Sequence, residues 1–285
     1  MKVLRGKRRQ LTPQMSIVRV LPQVARRYLG PFVFLDHFGP TTIGADGMDV
    51  RPHPHIGLAT VTVLFEGAIH HRDSVGSEQW IRPGAINWMT AGRGIVHSER
   101  SEDYEGPIHG LQLWVALPDD HQDVEPSFHH HPSDVLPRVE GPGHVVDVYV
   151  GRWGEAFSPV STMGPTHLAL ASLDDGATLE IPIPPDGQEL GVLVVEGRLR
   201  IGDVVLEADA LALLDPTHAD QGRWVVGAEG AARVAVLGGE PVGPRTIVWN
   251  FVHSDPSRIQ QAKADWRERR FPELPGDSEE WIPLP

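Results

Sequence analysis

Residues 51–67 read RPHPHIGLATVTVLFEG and contain a paired-histidine motif followed by a run of β-branched residues. β-Branched and aromatic residues favour strands, so the run at 60–65 predicts a strand. The end of this stretch, VLFEG at 63–67, resembles LVVEG at 193–197, about 130 residues further along the chain. Two such copies predict two similar β-barrels in tandem.

The rest of the chain is punctuated by 30 glycines and 26 prolines, with short β-branched runs between them. Short strands separated by glycine and proline turns indicate an all-β sandwich or barrel. One helix is expected near the C-terminus, where Asp255 can cap it and Pro256 can start it. Ile259, Ala262 and Trp266 follow at near-helical spacing.

Two matched pairs of side chains predict a metal site. His53 and His55 are two residues apart, which in an extended strand places both imidazoles on one face, roughly 6.6 Å apart at the backbone. His97 and Glu99, in TAGRGIVHSER at 90–100, have the same spacing. If the two strands face each other across a small barrel, three imidazoles and one carboxylate converge. Ordinary half-buried histidines beside turns are the alternative, but two matched pairs favour a divalent metal: iron, manganese, nickel, cobalt, copper or zinc.

A third pair with the same spacing, His71 and Asp73, follows the first one along the chain. These residues either orient a metal ligand or belong to a surface hairpin turn. We favour the turn.

The second barrel offers no matching ligands. The offset between the repeat copies carries the first histidine pair onto Ile183 and Pro185, and the offset between the turns carries the second pair onto Gly222 and Trp224. None of these side chains can ligate a metal ion, and His218 nearby is a single histidine. We therefore expect the C-terminal barrel to be free of metal.

The expected order of domains is an N-terminal metal-binding barrel at 1–125, a linker at 126–144, a metal-free C-terminal barrel at 145–250 and a helical tail at 251–285. The linker is inferred from several prolines and from the histidine run at 129–131, which stand in polar surroundings. For that run we favour a solvated loop over adventitious metal capture.

The composition argues against several functional classes. The chain of 285 residues carries a formal net charge of −13, which disfavours direct nucleic-acid binding, because phosphate backbones select basic surfaces. No apolar run approaches the roughly 18 residues of a membrane span, and no export signal is recognisable, so the cytoplasm is the expected location. The chain has no cysteine, which excludes thiolate chemistry and disulfides.

The sequence resembles the pirin family of the cupin superfamily. The resemblance is carried by LGPFVFLDHFGP at 29–40, HPH at 53–55, HRDSVG at 71–76 and PGAINWMTAGRGIVHSE at 83–99. It is dense across 17–118 and thinner after 240. The resemblance implies a bicupin, in which two jelly-roll β-barrels follow one another.

In pirins the N-terminal barrel binds a metal ion, usually iron, through three histidines and a glutamate. Matched residue by residue, these ligands fall on His53, His55, His97 and Glu99. One position departs from the pattern. Cupins generally, and many pirins, have a glutamate four residues after the second histidine, where this chain has Ala59. If the metal needs a carboxylate, Glu99 must supply it.

The resemblance implies two alternative functions. Some pirin-like proteins are similar to flavonol dioxygenases, so a quercetin 2,3-dioxygenase-like activity on a small aromatic substrate is the leading expectation. Glu99 would then be both a ligand and the base that accepts the flavonol proton. Pirins also resemble non-enzymatic regulators, in which the metal state controls contact with a protein partner such as a transcription factor. A purely structural metal is disfavoured, because structural zinc sites are usually rich in cysteine.

Overall fold

The computed structural model describes residues 1–10, 15–44, 47–102, 104–219 and 222–285, without the side chain of His218. Regular structure in these residues is mostly β-strand, with one α-helix, α1, at Pro256–Arg267. This confirms the expected all-β class with a short C-terminal helix. Among the described residues, no helix has the length and apolar character that crossing a bilayer requires.

Contacts between residues divide the chain into two units. The unit called here the N-terminal barrel consists of Gln10–Ile17, Phe38–Ser133 and Val242–Pro285, and the C-terminal barrel consists of Met1–Arg9, Val18–His37 and Asp134–Pro241. The start of the chain therefore groups with the C-terminal barrel rather than with the rest of 1–125. The reason is strand pairing over a long sequence separation, since β1 (Lys2–Arg5) pairs antiparallel with β22 (Ala210–Leu214).

Two sheets contain the strands of the N-terminal barrel, although residues 7–9, 18–21 and 32–37 of the larger sheet are assigned by their contacts to the other unit. The strands of the larger sheet are β2 Lys7–Gln10, β3 Ser16–Leu21, β4 Phe32–Ile43, β6 Leu58–Glu66, β9 Ile86–Thr90, β11 Gly106–Ala116 and β12 Ser127–His131. Their spatial order is β12-β9-β6-β11-β4-β3-β2. The smaller sheet contains β5 Asp49–His55, β7 Ile69–Asp73, β8 Glu78–Ile81 and β10 Ile95–Arg100, in the order β5-β10-β7-β8. A short hairpin of β25 Thr246–Val248 and β26 Phe251–His253 precedes α1.

The C-terminal barrel also contains two sheets. Besides β1 and β22, the larger one contains β13 Arg138–Gly141, β14 His144–Val150, β17 Thr166–Leu173, β19 Glu189–Glu196 and β24 Ala232–Gly239. Its spatial order is β1-β22-β19-β24-β17-β14-β13. The smaller one contains β18 Thr178–Pro182, β20 Arg198–Ile201, β21 Val204–Glu207 and β23 Arg223–Ala228, in the order β18-β23-β20-β21. A hairpin of β15 Arg152–Trp153 and β16 Ala156–Phe157 lies between β14 and β17.

The two units repeat one strand order. In the smaller sheets, β5, β10, β7 and β8 correspond to β18, β23, β20 and β21. In the larger sheets, β6 lies between β9 and β11 as β19 lies between β22 and β24. The matching pentapeptides at 63–67 and 193–197 end β6 and β19, two strands that are buried along most of their length. The internal repeat predicted from the sequence is thus confirmed.

The segment 126–144, expected to be a linker with a solvated histidine loop, contains strands instead. Residues 127–131 form β12, which pairs antiparallel with β9. Residues 138–141 form β13, which pairs with β14. The prolines that suggested a loop flank these strands at 126, 132, 137 and 142, where a missing backbone donor costs no ladder hydrogen bond. The loop assignment of the histidine run was therefore wrong.

Helix α1 begins as the sequence predicts. The Asp255 carboxylate accepts a hydrogen bond from the backbone N–H of Ser257 at 2.8 Å, and a proline occupies the first turn. Ile259, Ala262 and Trp266 are buried against Phe251. The helix thus packs its apolar face against residues of the N-terminal barrel unit.

Candidate metal centre

The two histidine-bearing strands lie side by side. β5 and β10 pair antiparallel with His97 opposite His53, and the register shifts between His97 and Glu99. The turn before β10 depends on Gly92, which has φ +50 and approaches Val124 so closely that a Cβ would lie 2.0 Å from its carbonyl oxygen. The sequence pattern and the strand pairing therefore bring both pairs of side chains to one place.

The three imidazoles converge. One ring nitrogen from each of His53, His55 and His97 lies within 4.8 Å of the other two. The Nε2 atoms of His55 and His97 are 3.1 Å apart, and the ring centroids of His53 and His97 are 4.4 Å apart. All three residues are buried. This spacing is compatible with a single ion bound by all three.

Backbone carbonyls fix the orientation of two of the rings. The Nδ1 of His53 lies 2.9 Å from the carbonyl oxygen of Arg51, and the Nδ1 of His55 lies 3.1 Å from that of Asn250. Because a carbonyl only accepts, each Nδ1 must carry the proton, which leaves a lone pair on Nε2. The ring N–H bonded to a fixed acceptor is the arrangement that metal-ligating histidines adopt.

Burial keeps the cluster neutral. It lowers the pKa of His53 to about 4, and it lowers the pKa of His55 and His97 well below the usual histidine range. Neighbouring imidazoles add to this effect by mutual repulsion of their charged forms. At neutral pH the rings are therefore uncharged, and each keeps one nitrogen lone pair, the form in which histidine binds a metal. The donor set fits a divalent cation.

The fourth predicted ligand, Glu99, lies beside the triplet. Its carboxylate forms a second group with His71 and His97, in which the ligand atoms lie within 4.8 Å of one another. Its Oε1 accepts a hydrogen bond from the hydroxyl of Thr62 at 3.0 Å. Burial raises the pKa of Glu99. The structure thus groups the three predicted histidines together and places the predicted carboxylate in an adjoining group that shares His97.

Comparison with known proteins identifies the family. A family model described as Pirin matches residues 14–115, and a model described as Pirin C-terminal cupin domain matches residues 168–272. A pirin-like protein of Caulobacter vibrioides is 43% identical over 98% of this chain and 97% of its own length. The chain belongs to the pirin family. The resemblance drawn from the sequence motifs is therefore confirmed.

Two further matches have names that refer to an activity. A Pseudomonas aeruginosa protein named as a candidate quercetin 2,3-dioxygenase is 38% identical over 89% of this chain and 79% of its own length. A crystal structure of quercetin 2,3-dioxygenase from Acinetobacter baumannii superposes with a TM-score of 0.92 and 35% identity, covering 100% of this chain and 94% of that one. The likeness extends over both barrels.

His71 and Asp73, which the sequence favoured as a surface turn, are buried in this pirin, and that assignment was wrong. The Nε2 of His71 lies 3.0 Å from Asp73 Oδ2, and its Nδ1 lies 3.5 Å from His97 Nδ1. Asp73 Oδ1 accepts the backbone N–H groups of Val75 and Ser77. A chain of polar contacts therefore runs from Asp73 through His71 to His97. The shared i, i+2 spacing was the available signal. It places both side chains on one face of β7, where Asp73 is the cross-strand partner of His97 and His71 that of Glu99.

The other sequence-predicted positions are not members of the two ligand groups. The histidine run is on β12, where His130 Nδ1 lies 2.6 Å from Asn87 Oδ1. Ala59, at the position where many pirins have a glutamate, is a fully buried residue of β6. In the C-terminal barrel, Ile183 follows β18 and Trp224 lies on β23, while the side chain of His218 lies outside the described part of the chain. A metal-free C-terminal barrel stays a prediction.

Proposed function

We propose that this pirin is a metal-dependent dioxygenase that cleaves flavonols such as quercetin, with iron as its metal. The observation that carries the proposal is the convergence of three neutral, buried imidazoles next to a buried carboxylate. The names of the Pseudomonas and Acinetobacter relatives support the choice of substrate class. His53, His55 and His97 would hold the ion, with Glu99 as a fourth ligand. Manganese, nickel, cobalt, copper and zinc are the alternatives that the same donor set accommodates.

The metal, when bound, polarises the substrate oxygen and stabilises its deprotonated form. The chain's own residues supply the remaining chemistry. Glu99 accepts the proton of the flavonol 3-hydroxyl at a carboxylate oxygen, and in the metal-free protein burial raises the pKa of this carboxyl. The Thr62 hydroxyl holds that carboxylate in place through its hydrogen bond.

Aromatic side chains border the cluster. The ring of Trp114 lies edge-on to His55 with centroids 5.2 Å apart, and Phe128 stacks on His71 at 4.4 Å. Both rings are apolar neighbours of the imidazoles, a setting that suits an aromatic substrate. A flavonol, which is flat and aromatic and carries a chelating oxygen pair, suits both features.

Dioxygen consumption tests the proposal. Protein purified without added metal would first be analysed for its metal content and then loaded separately with each candidate ion. We expect the iron-loaded protein to consume dioxygen with quercetin but not with luteolin, the analogue that lacks the 3-hydroxyl group. If fully loaded protein consumes no dioxygen with any of several flavonols, the enzymatic proposal is wrong for these substrates. A regulator whose metal state controls a protein partner would then be the better hypothesis.

A further inference from the structure

The C-terminal barrel contains a cavity where the repeat places the counterpart of the histidine cluster. In the smaller sheets, β18 and β23 correspond to β5 and β10, the strands that bear the histidines. The offset between the repeat copies carries His53 and His55 onto Ile183 and Pro185. Both of these residues line a cavity of about 200 Å³. At these positions the C-terminal barrel therefore lines a cavity with side chains that cannot ligate a metal ion.

The lining of this cavity is mainly apolar. Its apolar walls include Val150, Leu168, Ile181, Ile183, Leu190 and Val236. Trp153, half-buried on β15, contributes an aromatic ring. An engineered apolar cavity of about 150 Å³ binds benzene, so a volume of about 200 Å³ suits one substituted aromatic ring. A flavonol, with three rings, exceeds it.

The rim of the cavity is open to solvent. Ile183 is half-buried and Pro185 is exposed, whereas Ile181 and Leu190 deeper in the barrel are buried. A ligand can therefore enter between the rim residues without unfolding the sheet. This distinguishes the cavity from a closed packing void.

One imidazole gives the cavity a polar group. His167 lines it, and its Nε2 lies 2.7 Å from the side-chain oxygen of Gln188. A carbonyl oxygen only accepts, so Nε2 carries the proton and Nδ1 is left as an acceptor. The Arg152 guanidinium is engaged by the backbone of Gly154 and by Glu155. These groups favour a neutral ligand that donates one hydrogen bond.

We propose that the C-terminal barrel is a binding site for a neutral monocyclic phenol. The ring fills the apolar cavity beside Trp153, and the hydroxyl donates to His167. The site has no role in the flavonol chemistry of the N-terminal barrel, and its occupancy is independent of the metal.

Methyl NMR on the full-length protein tests the proposal, with p-cresol, toluene and benzoate as probes. We expect p-cresol to shift the methyl signals of Ile181, Ile183, Leu190 and Val236 saturably. Toluene should bind several-fold more weakly, because it lacks the hydroxyl. Benzoate should bind more weakly still, because the Arg152 guanidinium in the lining is already engaged by Gly154 and Glu155 and the walls around it are apolar.

Four variants locate the binding. Ile183→Trp fills the rim and should weaken p-cresol binding by at least tenfold, whereas Val204→Trp, on exposed β21 of the same barrel, should leave it unchanged. His97→Ala should also leave it unchanged. Pro185→Trp, at an exposed position, provides a second blocked rim should Ile183→Trp fail to fold. The absence of saturable shifts on these methyls would overturn the proposal. So would p-cresol binding that both blocked-rim variants retain, or that His97→Ala removes.

Discussion

In the N-terminal barrel the paired strands of the smaller sheet set His53 opposite His97, whereas at the matched positions of the C-terminal barrel the backbone N–H of Ile183 donates to the carbonyl oxygen of Gly222. Both barrels present these strands in the same order around the same kind of sheet. The shared backbone arrangement therefore provides the same potential binding position in each barrel, and the side chains on two strands decide what can bind there. One barrel has three convergent ring nitrogens there, and the other has an apolar cavity with a single imidazole.

The prediction with the largest expected effect separates the two barrels by metal content. His97→Ala removes the imidazole that both ligand groups share. The metal content of the purified protein should therefore fall at least about tenfold. Metal analysis of protein purified without added metal measures this. His144→Ala, in the C-terminal barrel, is the matched control and should keep the wild-type content. Equal metal content in both variants would place the metal elsewhere.

Acid should destabilise the metal-free protein through the N-terminal barrel. The pKa of His53 is about 4 in the folded protein and about 6.5 in the unfolded chain. Between these values the unfolded chain binds the proton and the folded chain does not, so the free energy of unfolding falls as the pH falls from about 6.5 to about 4. The loss from this residue alone is on the order of 3 kcal/mol.

Urea unfolding of metal-free protein between pH 7 and pH 4.5 measures that loss. His53→Gln should show a shallower dependence on pH than the wild type, because it lacks one of the titrating groups. The matched variant His144→Gln should keep the wild-type dependence. If His53→Gln and wild type lose stability in parallel, burial of His53 does not control acid sensitivity.

The next prediction concerns the polar chain behind His97. Asp73 accepts on both carboxylate oxygens, from His71 on one and from Val75 and Ser77 on the other. Asparagine has a single acceptor oxygen, so Asp73→Asn must break one of these sets of contacts. We expect metal affinity to fall by about 10- to 100-fold, the usual effect of removing a group that orients a ligand.

Competition with a chelator measures this affinity without any assay of turnover. Asp175→Asn is the matched control. Asp175 lies in the C-terminal barrel, where one of its carboxylate oxygens accepts a hydrogen bond from the backbone N–H of Gly230. It should leave metal affinity unchanged. Wild-type affinity in Asp73→Asn would show that the contact between His71 and His97 does not orient the ligand.

The sequence predicted the parts of this comparison that depend on local pattern. The i, i+2 spacing of His53 and His55 needs only an extended strand, and the Asp255 cap needs only its own helix. The structure differs from the sequence-based prediction where a strand pairs with another strand that is distant in sequence. Residues 127–131 looked like a loop because their partner, β9, is about forty residues earlier in the chain. The i, i+2 spacing of His71 and Asp73 likewise places both side chains on one face of a strand, but it does not show that β10 lies beside them and that the face is buried.

The last prediction asks whether Glu99 is more than a ligand, and its expected effect is the smallest. Glu99→Gln keeps the size of the side chain but removes its charge and its basicity, while an amide oxygen can still accept the Thr62 hydroxyl. If Glu99 accepts the flavonol proton, turnover should fall by about tenfold or more, with a smaller loss of metal. Metal analysis and dioxygen uptake on the same preparations separate the two losses. Glu102→Gln, which alters a carboxylate paired with Arg72 rather than one in the histidine cluster, should change neither. Equal losses of metal and turnover in Glu99→Gln would make Glu99 a ligand alone, and the proton would then need an acceptor other than the only carboxylate in the two ligand groups.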